Sequence, residues 1–176
     1  GDSGWADNLK TDLMKSEDSL IQVAGIIQDL SEDRVHKLLS ENCVGSLGYI
    51  AHSIPYVVPI TYYYDVENQA IISYSTEGHK ISSLRENPQV SLLVYYREGM
   101  NWWRSVLLHG VFEELHQLDA KFHLKQFCEG VRKVLKNQGI EQSRFINEFS
   151  SKSGSQDMPV VYRIRIQEWS GKYRKD

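Results

Sequence analysis

The chain has 176 residues, one domain by the usual length prior, and 41% of them are hydrophobic, enough for a core of its own. Twenty Lys+Arg against 23 Asp+Glu leave a net charge of −3 and a pI near 6.1, so no global basic field exists to hold nucleic acid or an anionic membrane surface. The charge is uneven: residues 1–118 carry 8 basic and 16 acidic side chains, and residues 119–176 carry 12 and 7. Such a split suits docking between copies, although it more often marks a solvated surface.

Residues 20–30 form the longest apolar stretch, and Gln22, Gly25, Gln28 and Asp29 interrupt it well short of a membrane span. No basic segment followed by an apolar run opens the chain, and Cys43 and Cys128 stand alone without a C-x-x-C spacing. These features predict a cytoplasmic protein in a reducing compartment, with no membrane contact and no bound metal.

The expected organisation is one domain over residues 1–176. Residues 1–30 are polar and aperiodic, and read as an extended or loosely packed lead-in. Ser31 caps a helix with Glu32 and Asp33 in its first turn and Val35, Leu38 and Leu39 on one stripe, ending near Asn42. From Val44 the period becomes two, and runs at 44–51, 56–65, 70–76, 90–97 and 106–115 predict five strands, a barrel or a sandwich. A short helix over 77–86, stopped by Asn87-Pro88, interrupts them. Asp119 opens an amphipathic helix with Phe122, Leu124, Phe127, Val131, Val134 and Leu135 inside. It begins a helical insertion over 119–157, which holds a further short helix at 142–149, and a strand at 160–170 returns to the sheet. The fold class is mainly β with appended helices (α+β).

Ser73, Tyr74, Ser75 and Thr76, then Glu77, Gly78, His79 and Lys80, place hydroxyls at a strand end, a glycine, and a lysine at a helix start. Hydroxyls, first-turn N–H groups, the positive end of the helix dipole and one ammonium can converge on a phosphomonoester. On the local pattern alone, an ordinary helix start with a solvated Lys80 is the commoner reading. Pro59 lacks a ladder donor and marks an edge or bulge, so backbone groups of Val58, Pro59, Ile60 and Thr61 can meet the polar rim of a planar heterocycle, or belong simply to an edge strand.

In order along the chain, these pieces resemble the pyridoxamine 5′-phosphate oxidase-like, FMN-binding split-barrel superfamily, particularly its small flavin-nucleotide-binding and nitroimidazole-resistance-like members. The resemblance covers about residues 30–115 and 160–172. It rests on Val44-Gly45-Ser46-Leu47-Gly48, Pro55-Tyr56-Val57-Val58-Pro59-Ile60-Thr61-Tyr62, Gly78-His79-Lys80 with Leu84-Arg85-Glu86-Asn87-Pro88, Arg104-Ser105-Val106 leading to Gly110, and Ile164-Arg165-Ile166 leading to Gly171-Lys172. It implies a dimeric split β-barrel with FMN at the homodimer interface. Ser73, Tyr74, Ser75, Thr76 and Lys80 would lie around the phosphate, with Ser75, Thr76 and Lys80 binding it. Val58, Pro59, Ile60 and Thr61 would line the isoalloxazine, and Arg104 or Ser105 would approach from the interface. Tyr74 stands where nitroimidazole-resistance members carry a histidine, which departs from their His-linked chemistry.

The six histidines show no H-x-x-x-H or H-E-x-x-H spacing. Trp102 and Trp103 fit either a flavin or dimer groove or the core, and Arg163 and Arg165 share a strand face that meets solvent or an acidic neighbour. No G-x-S-x-G, Cys–His pair or paired carboxylates point to hydrolysis. The expected function is a flavin-dependent oxidoreductase acting on an unknown small molecule. A reduced nicotinamide is a candidate donor, and no catalytic side chain is assigned. The alternatives are a non-catalytic flavin carrier or sensor, and a haem-binding module on the same barrel.

Overall fold

From Val44 onward the period-two alternation is expressed as an antiparallel sheet in the computed structural model, which describes residues 4–24, 27–140 and 159–175. The elements are α1 (Gly4–Ala24), β1 (Ile27–Asp29), α2 (Glu32–Glu41), β2 (Val44–Ala51), β3 (Ile54–Thr61), β4 (Tyr63–Asp65), β5 (Ala70–Ser75), α3 (His79–Glu86), β6 (Gln89–Gly99), β7 (Trp102–Glu114), α4 (Gln117–Asn137) and β8 (Val160–Arg174). The strand order is β3-β2-β6-β7-β8-β5-β4, with β1 added to β8. Only Tyr62 separates β3 from β4, so one stretch of chain supplies both ends of that order and the sheet curls into the expected split barrel. At the split the Tyr62 N–H donates to the Cys43 carbonyl at 2.7 Å, and its hydroxyl donates to the Leu39 carbonyl at 2.8 Å.

Inward positions alternate as the pattern predicts: Leu47 and Tyr49 on β2, Val90, Leu92 and Val94 on β6, Val106, Leu108 and Phe112 on β7. Helix α2 covers one end of this core. Ser31 accepts the Arg34 N–H at 3.4 Å, Val35, Leu38 and Leu39 are buried, and Asn42 ends the helix. Each of those side chains contributes about 2 kcal/mol of burial before entropy is counted. Helix α4 lays Phe127 and Val131 on Ala70 and Ile72 of β5, so β5 is covered on both faces. The helix comes this near because residue 130 is glycine, where a Cβ would stand 2.0 Å from the Tyr63 ring.

Several expectations need correction. The lead-in contains α1, and a short strand whose Ile27 and Asp29 pair with Arg174 and Lys172. Its polarity was legible, and Leu9, Leu13 and Met14 of its helix are exposed. Phe122 of α4 is 64% exposed rather than inside, because only Phe127 and Val131 of this helix are buried. Strand β8 runs on to Arg174, past a register shift opposite His109 and Gly110 of β7. The short helix expected at 142–149 lies outside the described residues. Arg163 and Arg165 meet Glu113 of their own chain, at 2.9 and 2.6 Å. No helix among the described residues is long and apolar enough to cross a membrane.

Candidate functional site

Strand β5 ends at Ser75, and three residues later Gly78 begins α3 in an extended conformation with no side-chain hydrogen bond to the helix start. The first turn carries no acid. Its backbone N–H groups therefore present the positive end of the helix dipole without a side-chain acceptor. A Cβ at Gly78 would meet nothing within 4 Å, so the space in front of these donors is open. Lys80 is half-buried, and burial is the one cause that lowers its pKa, no carboxylate among the described residues being within ion-pair distance.

The nearest acid in sequence, Glu77, is drawn away from this end. Its carboxylate accepts from Arg85 Nη1 and Nη2 at 3.0 and 2.6 Å, and Arg85 also donates from Nε and Nη2 to Glu114 of β7, at 2.8 Å each. These bonds hold the Arg85 pKa up and, with burial opposing, hold the Glu114 carboxyl below the usual range. The pair ties α3 to the barrel and removes a negative charge from the helix start. Sequence reading missed it; the visible signal was an acid just before the helix and an arginine in its last turn. His79, exposed in the first turn, sets its ring edge-on to Tyr56 of β3, with centroids 5.4 Å apart. Hence α3 and β3 adjoin at this point.

The predicted residues separate. Ser75 is half-exposed, its hydroxyl donating to the Thr76 carbonyl at 3.2 Å, and Thr76 is exposed. Both lie in the segment between the end of β5 and the first turn of α3, which carries Gly78 and Lys80. Ser73 does not face it: the residue is buried, and its hydroxyl donates to the Thr61 carbonyl at 2.7 Å. Tyr74 lies on the α4 side of β5, edge-on to Phe127 at 5.4 Å. Pro59 is on β3, whose one ladder partner is β2, so the edge position expected of a proline is found. Val58 packs against the core, Ile60 is buried and Thr61 half-exposed.

Arg104 and Ser105 are consecutive on β7 and point to opposite faces. Ser105 lies in the outward row between Tyr95 and Lys172. Arg104 lies over the Tyr96 ring at 5.1 Å and turns toward the ends of α2 and α4. Trp102 is 46% exposed, under the Lys175 ammonium, and Trp103 tilts against Tyr95; neither joins the core. The outward face of β3, β2, β6 and β7 exposes Val57, Val44, Ile50, Leu93, Tyr95 and Leu107. Among the described residues no cluster of three or more His, Cys, Asp and Glu could hold a metal.

A family model described as pyridoxamine 5′-phosphate oxidase matches residues 31–173. The chain belongs to the pyridoxamine 5′-phosphate oxidase family. An uncharacterised protein of Rhizobium meliloti (strain 1021) is 28% identical over 97 residues, 55% of this chain, and the chain spans 63% of that relative's length. The crystal structure of an FAD-binding protein from Mesorhizobium loti matches with a TM-score of 0.65 at 27% identity, over 85% of this chain and 98% of that one. An FAD and haem binding protein from Mycobacterium smegmatis matches at 0.61 and 18% identity, over 86% of this chain and 74% of that one, a likeness of fold alone. Family membership carries the dimeric, flavin-site expectation as far as the split barrel, which is the architecture found.

Proposed function

We propose that the chain is a flavin-dependent oxidoreductase that binds FMN as a homodimer. The observation that carries this reading is the start of α3, where the N–H groups lack a side-chain cap and Lys80 is half-buried with no carboxylate within ion-pair distance among the described residues; the Ser75 and Thr76 hydroxyls precede this turn in the chain and complete the proposed phosphate site. That set fits a phosphomonoester: charge-assisted hydrogen bonds from an ammonium and from helix N–H groups are the strong ones, and no acid opposes them. The M. loti relative is named for FAD, which supports a flavin in this family's barrel.

In this reading β3 supplies the rest of the site. Pro59 leaves its edge without a donor at one position, and the free groups on either side of it hydrogen-bond the polar rim of the isoalloxazine. Ser105 on the outward face approaches from the partner protomer across the exposed apolar surface of β2, β3, β6 and β7, whose burial drives the pairing. Bound flavin supplies hydride or single-electron chemistry to a small-molecule substrate, with a reduced nicotinamide as donor. The protein positions the ring, excludes water at the interface and holds the phosphate.

The test is turnover. FMN-loaded protein mixed with NADH or NADPH and an electron acceptor should oxidise the nicotinamide in steady state, and the flavin released by denaturation should have the mass of FMN. Bound FMN that never cycles would replace the enzyme with a flavin carrier, FAD in the released fraction would correct the cofactor, and a Soret band in place of flavin absorption would overturn the flavin reading.

A further inference from the structure

At one end of the barrel, away from the start of α3, the C-terminal ends of α2 and α4 meet over the rim of β6 and β7. Gln138 Nε2 donates to the Glu41 carbonyl at 3.0 Å and ties the two helix ends together. Beneath this tie is a cavity of about 340 Å³ lined by Leu38, Asn42, Tyr96, Arg104, Val134 and Asn137, among others. A second cavity of about 460 Å³ shares Ser40, Asn42, Val134 and Asn137 with it and runs on to Gln126. The Gln126 Oε1 atom is buried there with no donor. Volumes of this size hold small molecules.

Arg104 is the cation of the first cavity. Its guanidinium is half-buried, lies against the Tyr96 ring and has no carboxylate within ion-pair distance among the described residues. Tyr96 is itself fixed by a hydrogen bond to Glu98 at 2.9 Å, which holds the arginine's stacking partner in place. A planar fork of N–H donors, held on an aromatic face and left without an acceptor, matches a carboxylate through two parallel hydrogen bonds. We infer that this cavity is a binding site for a small monocarboxylic acid, its carboxylate on Arg104 and its apolar body against Leu38 and Val134. Glu41 also lines the cavity, but its carboxylate pairs with Lys37 at 3.9 Å, so Arg104 is the cavity cation without a carboxylate partner among the described residues, and one carboxylate matches it. The site does not depend on the flavin reading, since it shares no residue with the proposed phosphate site of Ser75, Thr76 and Lys80.

Benzoate is the probe, with benzamide as its neutral isostere, titrated calorimetrically into the full chain. Saturable benzoate binding is expected, weaker by about tenfold or more for benzamide. Arg104→Gln should lower benzoate affinity about tenfold and leave benzamide unchanged. Asn137→Trp, at an exposed position on the cavity rim, should block both and serves if the arginine variant does not fold. Lys80→Met should retain benzoate binding, so failure of the flavin site leaves this result standing. Equal affinity for benzoate and benzamide, no saturable benzoate binding, wild-type affinity in both cavity variants, or displacement of benzoate by inorganic phosphate would each overturn the assignment.

Discussion

At the start of α2, Ser31 accepts a backbone N–H while Glu32 and Asp33 face the positive end of the helix; at the start of α3, Gly78 caps nothing and His79 and Lys80 occupy the first turn. Both helices pack on the same barrel and differ little in length. Helix α4 also lacks a side-chain cap, yet it keeps Asp119 in its first turn. The difference therefore lies in what completes the helix: α2 is finished by its own sequence, whereas α3 joins uncapped donors to a cation with no carboxylate partner among the described residues. A helix end left in that state favours an anion from outside the chain, and the Arg85 clamp on Glu77 keeps the neighbouring acid from serving instead.

Giving α3 the kind of cap α2 has should produce the largest effect. Gly78→Asp places a carboxylate where the φ of 165° admits any residue and a Cβ meets nothing. It should stabilise the ligand-free protein by roughly 0.3 kcal/mol and lower FMN affinity by about 1,000-fold through lost donors and like charge, read by melting temperature and by flavin titration. Lys80→Met should cost about 100-fold in FMN affinity, ~2.7 kcal/mol, with no loss of melting temperature, since it removes a half-buried cation with no carboxylate partner among the described residues.

Titration sharpens the same contrast. The FMN phosphate loses its second charge below about pH 6, and Lys80 loses its proton at a pH lowered by burial. Affinity should fall at both limits, and Lys80→Arg should flatten the alkaline one. For folding the sign is opposite: between the lowered pKa and that of an ordinary lysine near 10.4, the unfolded chain holds a proton the native chain has released. In that window this group's contribution to stability rises with pH in the ligand-free protein. Arg85→Gln frees Glu77 and should weaken FMN about threefold. Ser31→Ala should cost about 1 kcal/mol of stability and leave FMN affinity unchanged.

Much of the scaffold was legible because its causes are local. The α2 cap, its buried triplet Val35, Leu38 and Leu39, and the 44–51 strand follow from cap chemistry and from periods of 3.6 and two. Site detail was less legible, for reasons that lie in tertiary packing. Alternation could not tell where Ser73 faces, because β5 is covered by the core on one side and by α4 on the other. Arg104 and Ser105 are separated by the pleat, but which one faces outward depends on the register with Tyr95, Tyr96 and β8. The Arg85 clamp needs Glu114, 29 residues away in sequence, which no local pattern supplies. Lys80 was visible as a motif, whereas its lack of a carboxylate partner was not.

The central claim, that the start of α3 is built for a phosphate, is tested most directly by incubating wild type and Lys80→Met with FMN, desalting both and recording visible absorption beside a thermal melt. The account predicts flavin bands retained by wild type and lost from the variant, with a variant melting temperature no lower than that of wild type. A wild-type protein that emerges colourless, or a variant that keeps FMN equally well, would contradict it.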